Sequence, residues 1–197
     1  MYVGVVVAYN PQREEICKNI DTYINELDVL YVVDNSSKNN GDIFNGYNKV
    51  KYIPNYDNLG ISAALNIGAK EAINNKYKWI LTMDQDSHFE KDAISKMKEY
   101  INNSDKTNEK LGIVSPFHST KRTEGIKLEG VDYPILVMTS GNLLNLEAYL
   151  DVGGFPEWYF IDCVDFDFCL ALRKKGYEIA QINDAVLQHE LGDTVRR

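Results

Sequence analysis

Residues 79–87 read Trp79-Ile80-Leu81-Thr82-Met83-Asp84-Gln85-Asp86-Ser87. Five apolar or β-branched residues running into a polar cluster predict a buried strand whose carboxyl end carries acids. Alternate positions on an extended segment face the same side, so Asp84 and Asp86 point together. Such a pair suits a hard cation, Mg²⁺ or Mn²⁺, shared with substrate phosphates. The same signature recurs outward along the chain. Upstream, Val3–Ala8 closes in Tyr9-Asn10-Pro11, Val29–Val33 closes in Asp34-Asn35-Ser36-Ser37, and Val50–Ile53 is a third apolar run. Between them, Ile16, Ile20, Tyr23, Ile24 and Leu27 give Arg13–Leu27 helical spacing, and Ile61–Ile73 is an Ala-rich helix. Downstream come a helix over Asp92–Ile101 and a fifth strand over Leu111–Ser115. Strand and helix in alternation predict an α/β protein with a mostly parallel central sheet flanked by helices.

The second half reads differently. Residues 116–146 predict short strands and loops, a small additional β element. Leu136–Thr139 and Asn142–Leu146 either pair with each other or extend the sheet. Glu147–Val152 is a short helix closed by Gly153-Gly154. Asp165–Lys175 is a helix closed by Gly176, with basic residues in its last turn where the dipole favours them. Glu178–Ile182 is a strand, and the polar segment Asn102–Lys110 is a surface loop.

Composition bounds the function. The chain has 197 residues, 44% of them hydrophobic and 25% charged, enough for a core without a disulfide staple. Its 21 Lys+Arg against 29 Asp+Glu leave a net charge of −8, which argues against a nucleic-acid partner. An acidic chain that handles phosphate needs a local cation, and a divalent metal is the natural source. Cys17, Cys163 and Cys169 lack CxxC spacing and read as reduced thiols of a cytoplasmic protein. No stretch approaches the roughly 18 apolar residues of a membrane helix. The start, MYVGVVVAYNP, has neither a basic leader nor a cleavage site and reads as a strand rather than a signal peptide.

In open α/β sheets, ligands bind outside the carboxyl ends of the strands. The clusters after the strands, at residues 8–10, 34–36, 58–60 and 84–86, therefore converge on one edge if those strands are parallel. Each alone is also ordinary turn chemistry. Asp34 is either a partner for a base or ribose or the acceptor of an Asx turn. Asp162, Asp165 and Asp167 sit among aromatic residues at a helix start, where some cap the helix and one partly buried carboxylate is placed to act as a general base. His88 and His118 stand in no recognisable context, and His189 ends the run Ala185-Val186-Leu187-Gln188.

Taken together these segments resemble family 2 glycosyltransferases of the GT-A fold, closest to the bacterial rhamnosyltransferase-like enzymes. The matching stretches are residues 5–11, 32–37, 58–68, 81–87, 140–143 (Ser140-Gly141-Asn142-Leu143), 153–155 (Gly153-Gly154-Phe155) and 160–169, followed by His189, in collinear order. The resemblance implies one catalytic domain over 1–197, with a nucleotide-sugar half over about 1–115 and an acceptor half over about 116–197. It implies that Ala8, Tyr9 and Asn10 line the nucleotide pocket and that Asp34 holds the base or ribose. Asn58, Asn66 and Asp84 would border the nucleotide diphosphate. Asp86 and His189 would bind Mg²⁺ or Mn²⁺, while Gly141, Asn142 and Asp162 would lie near the transferred sugar and the acceptor. Asp165 matches the catalytic base. The family usually shows Glu-Asp there, whereas this chain has Val164-Asp165, as the rhamnosyltransferase-like branch often does.

The implied reaction transfers a sugar, rhamnose from dTDP-rhamnose as first choice, with inversion. The donor is dTDP- or UDP-linked and the acceptor a glycan or lipid-linked hydroxyl in cell-envelope polysaccharide synthesis. Similar enzymes run beyond this length, so a C-terminal extension is expected to be absent from this sequence; a peripheral membrane contact through that missing segment, at the inner face of the plasma membrane, is a further expectation. Oligomeric state is not readable. Two other readings compete: a non-catalytic nucleotide-sugar-binding or assembly module, and a DxD metal-dependent phosphatase with Asp84 as nucleophile.

Overall fold

Nine strands and five helices follow from these patterns in a computed structural model that describes residues 1–104, 110–120, 123 and 129–189. The first half comprises β1 (Tyr2–Ala8), α1 (Arg13–Asp21), β2 (Val29–Asp34), β3 (Val50–Pro54), α2 (Ile61–Asn74), β4 (Trp79–Asp84), β5 (His88–Phe89) and α3 (Ala93–Ser104). The second comprises β6 (Leu111–Ser119), β7 (Val131–Asp132), β8 (Asn142–Asn145), α4 (Leu146–Val152), α5 (Val164–Lys174) and β9 (Glu178–Gln188). They build one sheet in the order β3-β2-β1-β4-β8-β6-β9-β5, with β7 added on β9.

Strands β3, β2, β1 and β4 are parallel, as the alternation predicts. Register places Ala8 opposite Asp34 and Val7 opposite Asp84, so the polar ends of three strands emerge side by side. The sheet then changes character. Asn142–Asn145 extends it, inserted antiparallel between β4 and β6. Leu136–Thr139 forms no strand, because its carbonyls are used by side chains. Thr82 Oγ1 donates to Thr139 O at 2.6 Å, and Asn142 Nδ2 donates to Met138 O at 2.7 Å.

Apolar side chains alternate between the two faces of the sheet. Val6, Leu30, Val32 and Leu81 pack under α1 and α3 with Ile16, Ile20 and Met97. Val3, Val5, Tyr31, Val33 and Ile80 pack under α2, α4 and α5 with Leu65, Phe168 and Leu172. Helix α2 approaches the sheet so closely that a Cβ on Gly68 would lie 2.3 Å from Val5 Cγ2.

Several boundaries differ from the sequence reading. Helix α1 stops at Asp21, since Thr22 turns its hydroxyl back onto Asn19 O at 2.7 Å and the chain tightens into a 3₁₀ turn over Ile24–Glu26. Tyr23, Ile24 and Leu27 are buried all the same, so their spacing reported burial rather than continuous helix. Strand β6 runs past Ser115 to Ser119, and β9 past Ile182 to Gln188. The register jumps at Pro116, which cannot donate a ladder hydrogen bond, opposite Asn183-Asp184-Ala185. Of the surface loop read over Asn102–Lys110, the first three residues finish α3 and 105–109 lie outside the described residues. Helix α4 has the expected ends: Asn145 Oδ1 caps it by accepting from Glu147 N at 3.0 Å, and Gly153 (φ +87°) closes it in the left-handed region.

Candidate functional site

The strand order reverses between β1 and β4, and a cleft of about 330 Å³ opens at their carboxyl ends. Asp84, Gln85 and Asp86 line one side of it, Tyr9, Asn58 and Gly60 another, and Phe160 and Ile161 face them from the segment before α5. That segment is docked on the α2 N-terminus, where Ile61 N donates to Phe160 O at 2.8 Å. Gly60 has φ +82°, and a Cβ there would lie 2.6 Å from Phe160 O, so the contact requires glycine.

Gln85 works as a structural clamp. Its amide accepts from Tyr9 N at 2.9 Å and donates to Tyr9 O at 3.2 Å, and its carbonyl accepts from Asn19 Nδ2 at 2.9 Å. The β1 end is thereby tied to the acidic loop and to α1. Across the loop, Asp84 N donates to Ser140 Oγ at 3.1 Å, and Gly141 N donates to Thr82 O at 2.7 Å.

The acids meet a histidine brought by the end of β9. Donor atoms of Asp84, Asp86 and His189 all lie within 4.8 Å of one another. His189 N donates to Ser119 O at 3.0 Å, and Ser87 Oγ holds His189 Nδ1 at 2.7 Å. Asp86 Oδ1 is buried with no hydrogen-bond partner among the described residues. Burial, then the neighbouring Asp86 and to a smaller degree Asp165, push the Asp84 carboxyl up to about 6, while His189 draws it down. Crowded carboxylates, one orphaned oxygen and an imidazole fit a divalent cation such as Mg²⁺ or Mn²⁺.

The other residues singled out from the sequence fall into two groups. Tyr9 and Asn58 line the cleft with Asp84 and Asp86. Asp165 stands in the first turn of α5, partly exposed, and lines a small gap with Asn142 and Thr139. Asp162 is exposed just before that helix.

Asp34, which the resemblance assigns to the base or ribose, stands at the end of β2. It is fully buried, and its carboxylate accepts from Ser36 N (2.9 Å), Ser36 Oγ (2.5 Å), Asn40 Nδ2 (2.9 Å) and Tyr52 OH (2.7 Å), which fills its lone pairs. Through Ser36 Oγ, which accepts from Asn10 N at 2.7 Å, it shapes the turn after β1. Asn66 also lies off the cleft. Its amide spans Phe155 O, Phe155 N and Tyr149 OH at 2.7–3.0 Å and so anchors the loop after α4. Ala8 is buried, and its carbonyl accepts from Asn35 N at 2.8 Å. Gly141 (φ +85°) is wedged between Leu187 and Pro116, and Asn142 is 4% exposed.

Sequence reasoning assigned no role to Ser87, Ser140 or His118. His118 Nε2 lies 2.7 Å from Ser140 O, and its ring meets His189 edge-on with centroids 6.4 Å apart. Burial chiefly lowers the His118 pKa to about 4, so this ring is neutral at physiological pH. Only the pairing of β6 with β9 brings the two histidines together, and no spacing in the sequence signals it.

A profile described as Glycosyl transferase family 2 matches residues 5–176. The chain is 28% identical over 214 aligned residues to the dTDP-rhamnosyl transferase RfbF of Shigella flexneri, covering 96% of this chain and 69% of that one. Among solved structures, GalNAc-T7 crystallised with UDP, GalNAc and Mn²⁺ superposes with a TM-score of 0.79 at 12% identity, over 97% of this chain and 44% of that one. TarS 1–349 of S. aureus with UDP-GlcNAc gives 0.78 at 16% identity, over 98% of this chain and 59% of that one. The chain thus spans less than two thirds of either structural relative. Among the described residues no helix is long and apolar enough to cross a membrane.

Proposed function

The chain belongs to glycosyl transferase family 2, with the GT-A fold, and on that premise we propose that it is an inverting, metal-dependent transferase. It moves a sugar from a nucleoside diphosphate donor to an acceptor hydroxyl. The observation that carries this reading is the convergence of Asp84, Asp86 and His189 at one side of a cleft of nucleotide size. Family membership removes the phosphatase alternative.

Asp86 and His189 would hold Mg²⁺ or Mn²⁺, with Asp84 beside them. A cation there supplies Lewis-acid neutralisation of the charge that builds on the departing diphosphate. Tyr9 and Asn58 bound the space for the nucleoside, with Phe160 and Ile161 opposite. Asp34 serves that space indirectly, by fixing Ser36 and the Asn10 turn. Asn66 does so by fixing the loop that leads to Phe160. Asp165 takes the proton from the acceptor hydroxyl as its oxygen bonds to the anomeric carbon and the diphosphate leaves. Displacement from the face opposite the leaving group inverts the anomeric configuration.

Relation to the Shigella enzyme favours dTDP-rhamnose as donor, and UDP-linked sugars are the second choice. A glycan or lipid-linked acceptor fits the exposed rim of Trp158, Phe160, Ile161 and Phe166 on the segment that carries Asp165. We place the reaction in the cytoplasm at the inner face of the plasma membrane, in cell-envelope polysaccharide synthesis.

Calorimetric titration with dTDP, UDP and GDP, each with and without Mn²⁺, tests the proposal. One nucleotide should bind in a metal-dependent way, and Asp86→Ala should abolish it. Asp165→Asn should keep that binding and lose transfer by about 10²-fold or more. Unaltered turnover in Asp165→Asn would remove Asp165 as the base. Nucleotide binding without turnover of any sugar donor by the unmodified chain would favour the non-catalytic module.

A further inference from the structure

Ser87 directly follows the acid pair and is fully buried. Its hydroxyl stands 2.7 Å from Nδ1 of His189, a residue 102 positions away. An imidazole has two nitrogens, and a hydrogen bond at one decides which is presented to a metal. Here Nδ1 is occupied by the serine, so Nε2 is the nitrogen left for the acids. The ring is fixed in other ways as well. Its backbone N–H is tied to Ser119 O at 3.0 Å, and the His118 ring meets it at an interplanar angle of 90°. His118 is itself held by Ser140 O at 2.7 Å, so it bears hydrogen on Nε2. Ser140 Oγ in turn accepts from Asp84 N at 3.1 Å. The contacts run in one chain from Asp84 through Ser140, His118 and His189 to Ser87, which is joined to Asp86 by a peptide bond.

We infer that Ser87, with His118 as its buttress, is a positioning residue that selects Nε2 of His189 as the ligating nitrogen. The inference rests on the cation site proposed above. In the loaded site the neutral imidazole keeps its proton on Nδ1 and donates it to Ser87 Oγ. The role assigned to Ser87 and His118 is to orient His189, not to ligate.

The test measures Mn²⁺ binding to the full chain without nucleotide, by calorimetry, alongside ¹⁵N NMR of His189 with Mg²⁺ as a diamagnetic substitute. Ser87→Ala should weaken Mn²⁺ binding by about 10–100-fold, the usual effect of removing a hydrogen-bond partner behind a metal-ligating histidine. Ser87→Thr, which keeps the hydroxyl, should recover most of the loss. The unmodified protein should show His189 with its proton on Nδ1. If Ser87→Ala binds Mn²⁺ like the parent while His189→Ala does not, the positioning role is wrong and the cation site stands. If His189→Ala also binds like the parent, His189 is not a ligand and the site reading fails with it. A proton on Nε2 of His189 in the Mg²⁺-loaded parent overturns the inference without any variant.

Discussion

Asp84 pays for its position. Its carboxyl is raised from the ordinary 3.8 to about 6, first by burial and then by Asp86. The folded state therefore keeps a proton that the unfolded chain has released, and the group's stabilisation, complete below the lower value, is lost as pH rises through about 6. Asp84→Asn should accordingly raise the melting temperature of the cation-free protein at pH 7.5 and change it little at pH 4; thermal unfolding at both pH values checks this. A cation reverses the sense, because the proton competes with it. Mn²⁺ affinity should fall as pH drops below about 6, by up to about tenfold per unit for one proton displaced. Asp34 illustrates what residue-level reading misses. Its place at a strand end and its turn with Ser36 were legible, but the donors to its other oxygen come from Asn40 and Tyr52, which no local pattern connects to it. Asp34→Ala would strand the buried Ser36 donors and the half-buried Asn40 and Tyr52, and should cost about 3 kcal/mol or more in urea unfolding.

At the scale of elements, small residues decide how near α2 comes to the sheet. Ala64, Ala69 and Ala72 are buried with Gly68 along it. Alanine ordinarily improves a helix over glycine by about 1 kcal/mol. At Gly68 the new methyl would sit 2.3 Å from Val5 Cγ2, on a strand that cannot retreat. Gly68→Ala should therefore destabilise by about 1–3 kcal/mol, which a shift in the urea midpoint would read. The Ala-rich run disclosed the helix, and only the packing disclosed the glycine's reason. The far end of β9 was hidden differently. Asn183 and Asp184 interrupt its alternation, so the apolar pattern stops at Ile182, before the segment that delivers His189.

For the whole molecule, a chain of net charge −8 concentrates two carboxylates at one strand end, where Asp86 Oδ1 is buried with no hydrogen-bond partner among the described residues. A cation bound only by the folded state should stabilise it by about 2.7 kcal/mol at a hundred times its Kd. The resulting rise in melting temperature with Mn²⁺ should vanish in Asp86→Ala. Hydrophobic periodicity was enough to determine the α/β alternation, the parallel half of the sheet and the edge where polar strand ends gather, because periodicity and turn chemistry act within a few residues. The acid pair was legible for the same reason. What joins Asp84 and Asp86 to His189, and Ser87 to both, is the antiparallel insertion of β8 and the late pairing of β9 with β6. Those contacts join segments a hundred residues apart, and tertiary packing alone decided them, because the energy that sets such a register comes from burying whole faces of strands rather than from any local run.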